Sequence, residues 1–247
     1  CSPQLLQKSR ELANKYDVLL NIHLAETKFE FDQCLAKNSV SPVKNLLNLG
    51  ILSGKTIAAH SVHVTQEDIQ ILSETRTGVA TNPVCNMKLA SGTAPIPEML
   101  RAGINAAIGT DGPVSNNNLN MFEEMKTLAL VQKLVNNDPS IIDAKTIVKM
   151  ASETSAKALG IYEKTGSLEK GKLADIIIID LNKAHLNPIY NIFSNIVYSM
   201  SGNDVDTVII NGRIVMKEKK LIGIDEEAII AEVNEKTKNI VKDFSIK

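Results

Sequence analysis

The chain has few cysteines and almost no net charge. It also lacks any long apolar run. Its three cysteines, Cys1, Cys34 and Cys85, are odd in number, widely spaced and without a Cys-x-x-Cys pair. That pattern argues against a disulfide framework or a thiolate zinc site and for a reducing, cytoplasmic setting. Lysine and arginine total 27 against 28 acidic residues, mixed along the length, for a net charge of -1. Nothing in that balance makes a nucleic-acid surface or a face for an anionic membrane. No apolar stretch approaches the length needed to span a bilayer, and no secretory leader opens the chain. Internal repeats and low-complexity segments are absent as well.

What is present is 247 residues, 44% of them hydrophobic, enough to bury a substantial core. "SPQLLQKSRELANKY" has helical spacing, and "DVLLNIHL" reads as a short, fully buried strand. Residues 41–52 read as helical, and "KTIAAH" is a second strand ending on His60. "TQEDIQILSET" is a short helix with Thr65 as its cap, followed by carboxylates in the first turn. "TGVATNP" is a third strand stopped by Pro83. "IPEMLRAG" is a helix terminated at Gly103, and "INAAIGTD" is the fourth strand. Apolar strands alternating with helices predict a parallel sheet covered on both faces, and four such units are half of an eight-stranded barrel.

After Asp111 the pattern changes. Residues 119–134 and 143–159 read as amphipathic helices. "LADIIIIDL" then reads as a strand, and "DTVIINGRIVMKEKKLI" as a hairpin turned at Asn211-Gly212. A charged amphipathic helix is expected over 225–244. The predicted division is a barrel portion over 1–165 and a small β domain with a C-terminal helix over 166–247.

Three of the four strands run into a residue that can bind a metal or move a proton: His23, His60 and Asp111. The chain has only four histidines. Singly, each has a structural reading, since a lone histidine at a strand end is more often a hydrogen-bonded scaffold residue than a ligand. Together they carry more, because the ends of parallel strands converge on one mouth. Imidazole nitrogens and a carboxylate oxygen are a ligand set for catalytic zinc with one position left open. Glu26 lies three residues after His23, on the opposite face of a straight strand, so the chain must leave strand geometry just after His23 if Glu26 is to reach the same mouth. A carboxylate beside a metal can shuttle protons. His63, in the loop beyond the second strand, fits the structural reading better than His60 does.

The blocks "NIHLAET", "IAAHSVHVT", "TNPVCNMKLASGTAPI" and "GTDGPVSNNNLNMFEEMKTLALVQK" resemble, in order, those of the metal-dependent amidohydrolase superfamily. Within it they most resemble the methylthioadenosine/S-adenosylhomocysteine deaminases and the related chlorohydrolase-type enzymes. "GSLEKGKLADIIIIDL" resembles the small composite β domain of that family. The resemblance covers essentially the whole chain. It implies strands five to eight of a (β/α)8 TIM barrel, followed by a small β-sandwich and a C-terminal helix.

Carried onto this sequence, the resemblance implies that His23 is a metal ligand. It makes Asp111 both a ligand and the base that activates water. Glu26 would protonate a purine ring nitrogen, His60 would stabilise or shuttle a proton on the attacking hydroxide, and Ser115 would contact substrate. Asn82 and Asn86 are expected to hold their loop by side-chain to backbone bonds, with a substrate contact as the alternative. Cys85 stands where relatives often have serine and is given no function. The implied reaction is hydrolytic deamination of an adenine nucleoside derivative, such as 5'-methylthioadenosine or S-adenosylhomocysteine, to a hypoxanthine product and ammonia. One divalent metal is implied, zinc first, with Fe2+, Mn2+ or Ni2+ as alternatives. The resemblance leans toward a homo-oligomer.

One departure stands against this. The family draws two further ligands from a His-x-His at barrel strand one, and this sequence has none. The chain also starts at Cys1 rather than Met. The expectation is therefore a C-terminal part of a longer protein, which alone should bind metal weakly and catalyse nothing. Two other readings stay open. One is another amidohydrolase acting on guanine or a triazine, and the other is a non-catalytic module keeping the scaffold.

Overall fold

The computed structural model describes residues 1–244. They divide into two compact units, Cys1–Lys172 with Leu181–Gly202, and Leu173–Asp180 with the residues from Asn203 onward. The last three residues of the β domain expected from sequence, 245–247, lie outside the described residues.

The first unit alternates helix and strand. Its order is α1 (Pro3–Lys15), β1 (Leu20–Leu24), α2 (Lys28–Asn38), α3 (Pro42–Asn48), β2 (Thr56–His60), α4 (Gln66–Glu74), β3 (Gly78–Thr81), α5 (Pro83–Lys88), α6 (Ile96–Arg101) and β4 (Ala106–Ile108). The four strands form one parallel sheet in the order β1-β2-β3-β4, so each strand pairs with its neighbour in sequence. β2 and β4 are buried along their whole lengths, and β3 nearly so. Ile57, Ala107 and Ala158 pack together at its core. β1 corrects the expectation of a fully buried strand. Successive side chains of a strand point to opposite faces, and here one face is open, so Asn21 and His23 are exposed.

The caps follow the sequence chemistry. Thr65 and Asp68 form a reciprocal capping box at the start of α4, which satisfies two of its orphan N–H groups. Arg10 on α1 is buried and donates to the Ile51 carbonyl at 2.9 Å and to Thr56 Oγ1 at 2.5 Å. It ties the first helix to the start of β2.

The chain then runs through α7 (Pro113–Asn116), α8 (Met121–Asn136), α9 (Ala144–Met150) and α10 (Glu153–Ala158). The single helix expected over 143–159 is therefore two, broken where Ser152 leaves helical geometry at φ -132 and ψ -88. α2 and α5 were not expected either. Pro83, a strand stop in the sequence, sits in the first turn of α5, where its missing N–H costs nothing.

The second unit is one antiparallel sheet, β5 (Ile176–Ile179), β6 (Val205–Ile210), β7 (Arg213–Lys217) and β8 (Lys220–Leu221), in that order, with its own helix further on. The turn between β6 and β7 is Asn211-Gly212, both at positive φ, as a tight hairpin demands. Between β5 and β6 the chain returns to the first unit, where α11 (Ile192–Tyr198) packs on α8 and α9. The units therefore interleave, and no single boundary near 165 divides them. Helix α12 (Glu226–Phe244) closes the described chain. Among the described residues no helix is long and apolar enough to cross a membrane.

Candidate active site

Three of the four parallel strands, β1, β2 and β4, share one backbone habit at their C-terminal ends. Ala25, His60, Ser61 and Asp111 all take left-handed conformations, at φ +51, +70, +49 and +59. Non-glycine residues rarely do so, and such turns cluster where side chains must be aimed. At Ala25 the consequence is direct. β1 ends at Leu24, and the left-handed residue breaks strand geometry before Glu26. Glu30, on the first turn of α2, then accepts from the backbone N–H groups of Ala25 and Glu26 at 3.0 and 2.9 Å. The loop is pinned with Glu26 turned toward β2.

Glu26 Oε2 lies 3.8 Å from His60 Nε2. The His23 ring stacks on the His60 ring, with centroids 5.3 Å apart and planes 16° from parallel. His60 is buried, and its other nitrogen, Nδ1, sits 2.9 Å from Asn86 Oδ1 and 3.3 Å from Asn82 Nδ2. This corrects the expectation for the two asparagines. They reach across to the histidine of the neighbouring strand, because α5 begins immediately after β3 and turns their side chains back over the sheet. Gly109 makes room: a Cβ there would lie 2.5 Å from Asn82 Oδ1.

Asp111 stands three residues past the end of β4. Its Oδ1 accepts from the N–H of Gly112 at 2.7 Å and its Oδ2 from Cys85 Sγ at 2.9 Å. Burial pushes this carboxyl up. The bonds from Cys85, Gly112 and Ser115, with the field of His60, outweigh burial and hold it below the usual carboxylate range. Cys85 responds in the opposite sense. Burial and its bond to Asp111 push the thiol up to about 11. Ser115 donates its hydroxyl to the Gly112 carbonyl at 3.1 Å and lies on the first turn past Asp111.

The structure thus brings His23, Glu26, His60 and Asp111 to one mouth, with Ser115 beside Asp111. It leaves His63 out, since that ring bonds to the Ser91 carbonyl at 2.8 Å. Two residues passed over in the sequence are also there. Cys85 joins Glu26 and His60 in a group whose ligand atoms all lie within 4.8 Å of one another. Glu124, fully buried on α8, accepts from the Val84 N–H at 3.1 Å and from Asn116 Nδ2. It clasps the loop after β3 to the loop after β4. Its signal was the block "NMFEEM", where a carboxylate falls on the apolar face of a helix.

The donor chemistry fits a divalent cation. His60 Nδ1 is committed to Asn86, so its Nε2 lone pair faces the mouth, and the exposed His23 imidazole and the ionised Asp111 stand beside it.

A model of the amidohydrolase family matches residues 1–215. A curated relative, the 5-methylthioadenosine/S-adenosylhomocysteine deaminase of Caldanaerobacter subterraneus, is 44% identical over 98% of this chain and 56% of its own length. A solved structure of a zinc-bound adenosine deaminase from Xanthomonas campestris superposes with a TM-score of 0.95 at 33% identity, covering 98% of this chain and 55% of that one. A zinc complex of the atrazine chlorohydrolase of Arthrobacter aurescens superposes with a TM-score of 0.87 at 26% identity, over 95% and 52% of the two chains. The chain spans about half the length of the curated relatives it matches.

Proposed function

The chain belongs to the amidohydrolase family, and on that premise we propose that it supplies half of the active site of a metal-dependent deaminase of adenine nucleosides. The observation that carries the reading is the convergence of His23, Glu26, His60 and Asp111 at the ends of consecutive parallel strands. On this reading β1 to β4 are strands five to eight of a (β/α)8 barrel. Residues 1–165, with α11 returning to them, are the barrel portion, and the antiparallel sheet belongs to a small β-sandwich domain. The strand order β1-β2-β3-β4 supports this, as does the likeness to a zinc-bound adenosine deaminase.

His23 and Asp111 would hold a divalent ion, zinc first. Such an ion acidifies bound water to a pKa of about 7 and so supplies a nucleophile at neutral pH. The chain's own groups do the rest. The Asp111 carboxylate, kept ionised by its donors, orients the attacking water at C6 of the adenine and receives its proton. His60 Nε2 holds or passes on the second water proton, its ring fixed from behind by Asn86. Glu26 delivers a proton to the ring nitrogen N1, which lets C6 accept the oxygen. The tetrahedral centre expels the amino group as ammonia, which takes the proton held on Asp111, and leaves the hypoxanthine product. Ser115, beside Asp111, would contact the substrate. The curated relative's name supports 5'-methylthioadenosine or S-adenosylhomocysteine as substrate. A homo-oligomer is the assembly the resemblance favours. The three free cysteines suit a reducing, cytoplasmic setting.

The test is a chimera in which residues 1–247 replace the matching segment of the Caldanaerobacter relative, loaded with zinc. The ultraviolet change from adenine to hypoxanthine is followed with both nucleosides. Turnover of either supports the reading. A zinc-bound, folded chimera that ignores both but attacks guanine or a chlorotriazine moves the assignment to the second reading, which the likeness to the chlorohydrolase favours.

A further inference from the structure

We propose that Glu26, His60 and Cys85 form a second cation site, beside His23 and Asp111 in the same mouth, that takes a soft divalent ion such as Cd2+ and disables the proton-moving pair Glu26 and His60. Binding at this site depends only on residues of this chain; the inhibitory consequence rests on the deaminase reading.

Geometry comes first. Each of the three residues offers one ligand atom, and the three atoms lie within 4.8 Å of one another. The His60 Nε2 to Glu26 Oε2 separation is 3.8 Å. Two ligands of one tetrahedral ion, each about 2.0–2.2 Å from it, lie a little over 3 Å apart, so small side-chain movements close the site. His60 presents Nε2 because Asn86 already occupies Nδ1. Cys85 and His60 are buried, while Glu26 is partly open at the mouth and gives an ion its way in.

The donor set decides which ion. One carboxylate oxygen, one imidazole nitrogen and one sulfur rank thiophilic cations far above Mg2+ or Ca2+, which want oxygen alone. The thiol is buried and donates to Asp111 at 2.9 Å, so an ion must displace that bond to reach the sulfur. Only an ion with a strong bond to sulfur displaces that proton. On binding, the S–H bond breaks, its proton leaves to the buffer, a sulfur–cadmium bond forms, and Asp111 loses one of its donors. The Glu26 carboxylate is then held by the ion and is a much weaker base, and His60 Nε2 is covered. Serine at position 85 would leave the site without its soft ligand.

The experiment uses the 247-residue chain with Cys1→Ser and Cys34→Ser, titrated with Cd2+ and followed by the ultraviolet absorption of a sulfur-to-cadmium bond. The expected result is one sulfur-bound ion and one proton released from Cys85 per chain. Cys85→Ser should abolish the band, and Glu26→Gln and His60→Gln should each weaken binding at least about tenfold while keeping it. Cadmium NMR of the chain with Cys85, Glu26 and His60 intact provides a readout free of site variants, and a resonance for mixed sulfur, nitrogen and oxygen ligation is expected. A band that survives Cys85→Ser overturns the site. So does an affinity unmoved by both Glu26→Gln and His60→Gln, or a resonance for sulfur ligation alone. In an active chimera, Cd2+ should inhibit the Cys85 form and spare the Cys85→Ser form. A chimera without turnover would count against the deaminase reading and leave the cation site to the titration.

Discussion

Asn86 Oδ1 lies 2.9 Å from His60 Nδ1, and both residues are buried. An amide oxygen can only accept, so the proton of a neutral His60 sits on Nδ1 and the lone pair on Nε2 faces Glu26. Asn82 Nδ2, at 3.3 Å from the same nitrogen, would favour the other tautomer, but it is the longer contact.

The consequence for catalysis is a positioning role for Asn86. Asn86→Ala should lower kcat of the zinc-loaded chimera by about 10–100-fold and leave KM nearly unchanged. Asn86→Asp keeps the acceptor and adds charge, so activity should be largely retained with its pH profile displaced upward. Equal profiles for Asn86 and Asn86→Asp would remove the asparagine from control of His60.

Glu124 gives a pH dependence with a definite sign. Burial pushes its carboxyl up to about 7, with help from Glu123 and Asp111 and against the bonds from Val84 and Asn116. Between its ordinary value of 4.5 and about 7 the folded chain binds a proton that the unfolded chain has released. Stability from this group is therefore full below that window and falls as pH rises through it. Glu124→Gln should flatten the decline, so its urea midpoint should gain on the parent's between about pH 5 and about pH 8. Parallel curves would show that Glu124 is not the group responsible.

On the proposed reading, Asp111 ties metal retention to catalysis. Asp111→Asn removes a charged ligand and leaves Cys85 donating to a neutral amide. The chimera should lose zinc on dialysis against a chelator and lose activity by orders of magnitude. Zinc content equal to the parent's would take Asp111 out of the ligand set.

Much of the first unit was legible in the sequence, because its strands are apolar runs and its helices carry caps such as Thr65. His23, His60 and Asp111 could be picked out because each follows such a run. The side of Glu26 could be posed only as a condition, since a three-residue offset from His23 needs a break that no propensity announces. That break is the left-handed Ala25. The contacts of Asn82, Asn86 and Cys85 could not be read, as they depend on α5 starting directly at Pro83 and carrying these side chains back to His60 and Asp111. The return of residues 181–202 to the first unit was hidden for a related reason. α11 is only seven residues long and is held by packing on α8 and α9 rather than by its own periodicity.

Arg10 tests the scaffold apart from the site. Its guanidinium is buried, and burial lowers its pKa, yet it is held by Ile51 and Thr56. Arg10→Ala removes two bonds from a charged donor and leaves a void at the start of β2. A loss of about 1–3 kcal/mol in urea unfolding is expected. An unchanged midpoint would mean that α1 is anchored elsewhere.

The central claim is that this chain supplies the proton-moving carboxylate beside a metal it helps to hold. Zinc content and methylthioadenosine turnover of the Glu26→Gln chimera, measured on the same sample, test it most directly. The account predicts zinc at the parent's level and turnover reduced about 10²–10⁴-fold. Turnover at the parent's rate would contradict the role of Glu26, and zinc lost together with activity would make Glu26 a ligand instead.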